Sequence, residues 1–260
     1  MSDKKVKIPL IVMQTWKDKN IPAHWKSSQN AIRNIMPHWK YVLMTDEDNR
    51  NFCAKHFPDF LPIYDSFEYG IMRADAIRYM WLYINGGLYL DLDIEVTKPF
   101  DDLFYEDHDI YGVRSGNYKK FYTNAIMASK PRVPFWLKCI EDMKVPYRTW
   151  QIGKHLKVMR TTGPLMLSKM LIDHEPDIGQ MPAELLTACT VCDPKPCNIK
   201  SGYAKTLEGS SWVAWDTKVY TFCACNSGKI MVVLLSIILV LIFVYILYRR
   251  SLNGPSRFER

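Results

Sequence analysis

Residues 73–100 read RADAIRYMWLYINGGLYLDLDIEVTKPF, and the apolar pattern changes from helical to strand-like within this segment. Its first half has the apolar periodicity of a helix of about four turns, and the glycine pair at 86–87 can end that helix. Its second half alternates like a strand, in which side chains two residues apart share a face. The spacing therefore predicts that Asp91, Asp93 and Glu95 point to one face, which would hold a cation.

The predicted helix carries a second pair of charges, Asp75 and Arg78, which are three residues apart and so are neighbours on one helix face. The simplest interpretation is an exposed ion pair, whose removal would lower stability by no more than about 1 kcal/mol. Because the helix leads through the glycine turn into the acidic strand, Asp75, Arg78, Asp91 and Asp93 form one candidate catalytic unit. Carboxylates beside an arginine suit phosphate groups bridged by a divalent cation, and oxygen ligands favour Mn²⁺ or Mg²⁺.

Short strands and helices alternate through residues 1–225. KIPLIVMQ, KYVLM, DIYGV and NAIMAS have strand patterns, while HWKSSQNAIRNIM, DEDNRNFCAKHF, PFWLKCIEDM and GPLMLSKMLID have helix patterns. Thr45 and Asp48 form a candidate capping box at the start of the second of these helices. This order predicts an α/β fold with a largely parallel sheet and flanking helices. Ligands of such folds bind beyond the carboxyl ends of the strands, where Asp91 and Asp93 are expected.

A second kind of segment follows near the C-terminus, where residues 230–248 contain neither a charge nor a proline. A helix of this length spans about 28 Å, close to the thickness of the bilayer hydrocarbon. Arg249 and Arg250 follow directly, and Tyr245 and Tyr248 are suited to the interface. We therefore expect four segments: a catalytic domain at 1–225, a juxtamembrane segment at 226–229, one transmembrane helix at 230–248 and a short basic tail at 249–260.

The charge of the chain excludes one class of partner and leaves the topology open. The formal net charge is +7, and outside the C-terminal tail it is mild and scattered, so we expect no nucleic-acid partner. The N-terminus lacks a signal-peptide pattern, which favours a cytosolic catalytic domain. The basic tail prefers the cytosol itself, which favours a lumenal one. We expect an endomembrane location, with either orientation.

The cysteines allow several states. Cys189, Cys192 and Cys197 could form part of a zinc site or of lumenal disulfides, or could be ordinary reduced residues in a loop. Cys223 and Cys225 lie close to the apolar segment and could carry a lipid.

The central stretch resembles the sugar-binding region of the DxD glycosyltransferases, which are related to yeast mannosyltransferases and clostridial glucosylating toxins. IPLIVMQTWK, TNAIMASKPRVPFW, MRTTGPLML and EGSSWVAWD follow in the order of that family. The last two are most similar to the membrane-anchored inositol phosphorylceramide mannosyltransferases of fungi. The resemblance covers about residues 6–220. It implies a GT-A-like fold, a nucleotide-sugar donor with GDP-mannose favoured, Mn²⁺ and retention of anomeric configuration.

The resemblance also assigns roles to residues. Asp75 and Arg78 would hold the hydroxyls of the donor sugar, Asp91 would contact ribose and sugar, and Asp93 would bind the metal. The implied donor-binding set is Trp16, Asp75, Arg78, Asp91, Asn124, Gly163 and Trp212. The implied metal ligands are Asp93, Glu208 and Ser211.

Three positions depart from the family pattern: Met13 and Val213 replace a usual histidine, and Val133 stands where His-Pro is usual. These departures put acceptor recognition, and activity itself, in question. Three functions from different classes therefore stay open. One is a hexosyltransferase acting on a sphingolipid or a glycan, the second is a glycosidase using Asp91 and Asp93 as its acid and base, and the third is a membrane protein that only binds its ligand.

Overall fold

The computed structural model describes residues 8–104, 107–114, 121–145, 153–182, 192, 202–209 and 212–252, with side chains as far as Arg249. The strands are β1 Ile11–Thr15, β2 Lys40–Met44, β3 Gly87–Leu90, β4 Ile94–Val96, β5 Ile110–Arg114, β6 Tyr122–Ser129, β7 Ile178–Met181 and β8 Ala204–Thr206. The α-helices are α1 Lys26–Ile35, α2 Asp46–His56, α3 Leu61–Ser66, α4 Gly70–Asn85, α5 Pro134–Asp142, α6 Lys154–Thr161, α7 Pro164–His174, α8 Trp215–Cys225 and α9 Ser227–Leu252. Short 3₁₀ helices cover Ala23–Trp25, Pro58–Phe60 and Asp101–Leu103.

Six strands form the main sheet in the order β2-β1-β3-β6-β5-β7. The pairs β1–β2, β1–β3 and β5–β7 are parallel, while β6 pairs antiparallel with both β3 and β5. Buried apolar clusters lie on the sheet and its helices, with α4 contributing Met72, Ala76, Ile77, Tyr79 and Met80 to one of them. The predicted α/β class, with a mostly parallel sheet and flanking helices, is confirmed.

The predicted continuous acidic strand is wrong. Strand β3 ends at Leu90, and the chain turns before β4 begins at Ile94, whose N–H donates to the Asp91 carbonyl at 3.0 Å. The strand is interrupted by a tertiary contact, because β4 leaves the main sheet and pairs antiparallel with β8. Asp91 and Asp93 therefore lie in a turn between two sheets. Glu95 forms an ion pair with Lys205 at 2.6 Å and does not join them.

The turn from α4 into β3 requires its two glycines. Gly86 and Gly87 have φ angles of 64° and 87°, in the region that favours glycine. A Cβ atom at Gly87 would lie 2.5 Å from the Ile11 carbonyl oxygen, and one at Gly86 would lie 2.7 Å from that of Ser129. These close approaches fix where α4 ends and β3 starts, which in turn fixes the DxD turn relative to the helix.

The locally encoded helices agree with the sequence. The helix α4 covers Gly70–Asn85 as predicted. The capping box at α2 is present, since the Thr45 hydroxyl accepts from the Asp48 N–H at 3.2 Å and the Asp48 carboxylate accepts from the Thr45 N–H at 2.9 Å.

The chain divides into two compact units, Met1–Ala214 and Trp215–Arg260. Helices α8 and α9 belong to the second unit. Within it, Ser227–Arg249 has a mean hydropathy of 3.4 and is the one described helix that is long and apolar enough to cross a membrane. The boundaries given above for the catalytic, juxtamembrane and transmembrane segments stay predictions.

Candidate active site

The first unit contains an open cavity of about 410 Å³, within the size range of small-ligand sites. The cavity lies where β1, β2 and β3 reach their carboxyl ends, which is where ligands of α/β sheets bind. Its walls are Thr15, Trp16, Lys17, Trp25, Asp46, Glu68, Tyr69, Gly70, Ile71, Ala74, Arg78, Tyr89, Asp91, Leu92, Asp93, Lys154 and Trp212. The predicted residues Trp16, Arg78, Asp91, Asp93 and Trp212 thus lie around one cavity.

Arg78 is the centre of the charged cluster at this cavity. Its guanidinium lies 3.0 Å from the Asp75 carboxylate and 3.1 Å from that of Asp91, and it donates to the Asn124 carbonyl at 2.7 Å. The guanidinium carbon also lies 4.5 Å from the centroid of the Tyr89 ring. With only 2% of its surface exposed, Arg78 is held in one orientation by partners on three sides.

Asp75 lies behind the cavity wall and is only 3% exposed, so the expectation of an exposed ion pair is wrong. The burial arises because strand β6 and the loop after α6 cover this face of α4. Its carboxylate accepts hydrogen bonds from the Asn124 amide and the Thr162 hydroxyl, each at 2.9 Å. In this geometry Asp75 orients Arg78, and Arg78 is the member of the pair that reaches the cavity.

The pKa values of this pair are shifted by burial and by its neighbours. Burial raises the pKa of Asp75 to about 6, against the lowering effect of Arg78 and of the Thr162 and Asn124 hydrogen bonds. Burial lowers the pKa of Arg78, but Asp91, Tyr89 and Asp75 outweigh it and the pKa is raised overall. The raised pKa of Arg78 indicates a stabilised charged pair, whereas the raised pKa of Asp75 indicates that its own charged form is disfavoured. Asp91 accounts for this, because its carboxylate stabilises the Arg78 charge and opposes that of Asp75.

Two buried polar residues hold the DxD turn at both ends, and the sequence analysis missed them. The Gln14 amide donates to the Asp91 carbonyl at 3.2 Å and to the Ser28 hydroxyl at 3.0 Å. Ser28 in turn donates to the Ile94 carbonyl. Both side chains are fully buried. The available signal was a glutamine inside an otherwise apolar strand, a position that is costly unless its amide is hydrogen-bonded.

The predicted metal ligands are partly brought together. Asp93 lines the cavity, and its carbonyl accepts from the Leu207 N–H at 2.7 Å. The Glu208 carbonyl accepts from the Trp25 indole at 3.1 Å, so the chain after β8 runs along the same edge of the cavity. Ser211 lies outside the described residues. Among the residues with described positions, no three His, Cys, Asp or Glu side chains form a metal cluster, and the predicted set contains two. Two carboxylates fit Mn²⁺ or Mg²⁺, which keep open positions for water and phosphate.

The predicted donor-binding residues fall into two groups. Trp16 and Trp212 lie on the cavity wall, where Trp16 packs edge-on against Trp25 at 5.1 Å and Trp212 stacks on His155 at 5.6 Å. The Trp16 indole nitrogen is buried and has no hydrogen-bond partner among the described residues. Asn124 and Gly163 are buried behind the wall, where Asn124 contacts Asp75 and Gly163 precedes α7.

The three residues that depart from the family pattern are all among the described residues. Met13 is fully buried and Val133 is 8% exposed, and both belong to the apolar core. Val213 is exposed. None of the three is part of the cavity wall described above.

The structure describes the bonding state of five of the seven cysteines. Cys192 and Cys225 each take part in a disulfide bond, whereas Cys53, Cys139 and Cys223 are free thiols. Cys189 and Cys197 lie outside the described residues.

Comparison with known proteins identifies relatives of this chain. The model of the glycosyltransferase sugar-binding region containing a DXD motif matches residues 22–109. Inositol phosphoceramide mannosyltransferase 2 of Schizosaccharomyces pombe is 30% identical over 254 residues, covering 95% of this chain and 70% of the relative. Mannosyl phosphorylinositol ceramide synthase SUR1 of Saccharomyces cerevisiae is 37% identical over 166 residues, covering 62% of this chain and 41% of the relative.

Among solved structures, the PaToxG glycosyltransferase matches with a TM-score of 0.47 and 17% identity, covering 64% of this chain and 69% of that one. The sheet and flanking helices described above are those of the predicted α/β class. The chain is a glycosyltransferase and belongs to the family of glycosyltransferases with a DXD-containing sugar-binding region, together with inositol phosphoceramide mannosyltransferase 2 of Schizosaccharomyces pombe.

Proposed function

We propose that this glycosyltransferase is membrane-anchored and transfers mannose from GDP-mannose to a sphingolipid head group such as inositol phosphorylceramide, with Mn²⁺ or Mg²⁺ and with retention of configuration. A glycan is the second acceptor class. The observation that carries the proposal is the position of Arg78, Asp91 and Asp93 on one cavity wall. The names of the relatives from both yeasts support mannose and inositol phosphoceramide.

The chemistry of the cavity suits the departure of a nucleoside diphosphate. Asp93 and Glu208, with Ser211, would hold the metal, which when bound neutralises charge on the diphosphate leaving group. Arg78 is fixed by its carboxylate partners, so it presents an oriented donor to the sugar without reorganisation during the reaction. Trp16 lines the cavity and would offer an aromatic face to the nucleotide.

The two alternative functions fit the structure less well. A glycosidase needs one protonated carboxylic acid beside the scissile bond. Asp91 accepts a hydrogen bond from the Tyr89 hydroxyl at 2.6 Å and forms an ion pair with Arg78 at 3.1 Å, so its carboxylate is an acceptor for two neighbouring donors in this structure. A protein that only binds was favoured by the missing histidines, but Met13 and Val133 are core positions. The transferase is therefore the function that the geometry supports best.

The disulfide-bonded cysteines and the C-terminal helix favour one orientation of the protein in the membrane. Disulfides persist in oxidising compartments, so Cys192 and Cys225 favour a lumenal side for the catalytic unit. Arg249 and Arg250 would then lie in the cytosol, in agreement with the positive-inside preference. We propose a single-pass endomembrane protein with a lumenal active site.

The test is release of nucleoside diphosphate from a panel of sugar nucleotides, using the full chain in detergent with Mn²⁺. We expect GDP-mannose to be the preferred donor and chelation by EDTA to stop the release. Full turnover in EDTA would contradict the metal assignment, and release from another donor alone would contradict mannose. No release from any donor would favour the binding protein.

A further inference from the structure

One wall of the cavity has no role in the function proposed above. It is formed by Glu68, by the start of α4 at Tyr69, Gly70 and Ile71, and by Lys154, the first residue of α6. The Lys154 ammonium lies 5.2 Å from the centroid of the Tyr69 ring, a distance at which a cation is attracted to an aromatic face. The ring therefore holds this charge at the cavity.

A second lysine on α6 provides a comparison. Lys157 also lies near the Tyr69 ring, with its ammonium 6.0 Å from the centroid, but it forms an ion pair with Glu68. Lys154 forms no ion pair with any carboxylate whose position is described. A cation in the first turn of a helix is also disfavoured by the helix dipole. Lys154 thus has an unfavourable position on its helix and, among the described residues, no carboxylate that neutralises its charge, which suits a residue that binds an anionic ligand.

The ligand would be an anion that fits a compact positive charge. Gly70 and Arg78 both line the cavity and are eight residues apart on α4, so about 12 Å of helix separates their positions. Lys154 therefore marks a subsite at the start of α4, whereas the backbone of Arg78 lies about two turns further along that helix.

We propose that Lys154 binds a phosphate group of a substrate in this subsite. The proposal rests on the proposed function, in which two substrates bring a phosphate: the donor carries a diphosphate, and the acceptor head group carries a phosphodiester. Lysine binds phosphate as a point charge, so a phosphate from either substrate would suit Lys154.

The test measures binding of two soluble probes to the full chain in detergent by calorimetry: GDP with Mn²⁺, and glycerophosphoinositol. Lys154→Gln should raise the Kd of one probe about tenfold, equivalent to about 1.4 kcal/mol. Lys154→Arg keeps the charge and should stay close to the wild type. Lys157→Gln is the control, because its amide can still donate to Glu68, and it should change neither Kd by more than about twofold. A weaker GDP complex assigns Lys154 to the donor, and a weaker glycerophosphoinositol complex assigns it to the acceptor.

The proposal is overturned if the wild type binds neither probe, if Lys154→Gln binds both as the wild type does, or if Lys157→Gln weakens binding equally. These outcomes are separate from failure of the proposed function, which shows as absence of nucleoside diphosphate release by the wild type.

Discussion

The buried carboxyl of Asp75 should make the stability of the protein depend on pH in a particular direction. Asp75→Asn removes this titrating group while preserving the size and shape of the side chain. The folded protein raises the pKa of Asp75 from 3.8 to about 6, because burial disfavours the charged form. The folded state therefore prefers protonated Asp75, and the contribution to stability is fully present below pH 4 and lost as the pH rises through about 6.

The magnitude follows from the size of the shift. A change of about 2 pKa units, at about 1.4 kcal/mol per unit, corresponds to about 3 kcal/mol. The asparagine variant has no such titration, so the stability of the wild type relative to Asp75→Asn should fall by about 3 kcal/mol between pH 4 and pH 7. For a unit of this size, that is a change of about 6–12 °C in the difference between the two Tm values.

Thermal unfolding of both proteins in detergent, across pH 4 to 7, measures this difference. Asp65→Asn is the control, because Asp65 is exposed and its hydrogen bonds to Arg50 lower its pKa, so any pH dependence should have the opposite sign. If the Tm of the wild type relative to Asp75→Asn is constant with pH, or increases as the pH rises, burial does not raise the pKa of Asp75. Such a result would mean that the hydrogen bonds to the carboxylate outweigh its burial.

Two further predictions concern the DxD turn and the anchor. Ser28→Ala leaves the Ile94 carbonyl without its buried donor, so we expect a loss of about 1–3 kcal/mol in unfolding free energy. The Mn²⁺ concentration for half-maximal nucleoside diphosphate release should rise about tenfold. A chain truncated after Asn226 should keep metal-dependent hydrolysis of its sugar nucleotide but lose most transfer to lipid in vesicles, because anchoring raises the effective concentration of the acceptor.

Each of these predictions has a control and a contrary result. Ser66→Ala removes an exposed hydroxyl that donates to the Ile63 carbonyl, and it should not change the Mn²⁺ dependence. An unaltered Mn²⁺ dependence in Ser28→Ala would show that the turn holds its shape without this bond. An unrelated membrane anchor should restore lipid transfer to the truncated chain. If that chain glycosylates soluble acceptors as well as the full chain, and both ignore lipid, a lipid acceptor is wrong.

The parts of the fold that the sequence predicted are those specified locally. The capping box at Thr45 and the helix Gly70–Asn85 depend on residues within a few positions of each other. The single strand expected to carry Asp91, Asp93 and Glu95 on one face was predicted wrongly, because the pairing of β4 with β8 joins segments more than 100 residues apart and alternation alone does not reveal it. The helix Lys154–Thr161 was also missed, which is why Lys154 was not among the candidate residues.

In the candidate site too, some features follow from the local sequence and others depend on contacts between distant segments. The order of carboxylates and arginine along the chain was enough to predict that Arg78, Asp91 and Asp93 lie around one cavity. The burial of Asp75 was not predictable, since it depends on Asn124 and Thr162 from distant segments. The support of the DxD turn by Gln14 and Ser28 likewise depends on tertiary contacts.

Mannosyl transfer to a sphingolipid can be measured by mass spectrometry, as formation of mannosylated lipid from GDP-mannose and vesicles that contain inositol phosphorylceramide. Asp93→Asn and Glu95→Gln each neutralise a carboxylate, but Asp93 lines the cavity and Glu95 pairs with Lys205 away from it. We predict that the wild type and Glu95→Gln form the product with Mn²⁺, and that Asp93→Asn forms none while remaining folded. Equal product from Asp93→Asn and the wild type, or none from a folded wild type with Mn²⁺ present, would contradict the account.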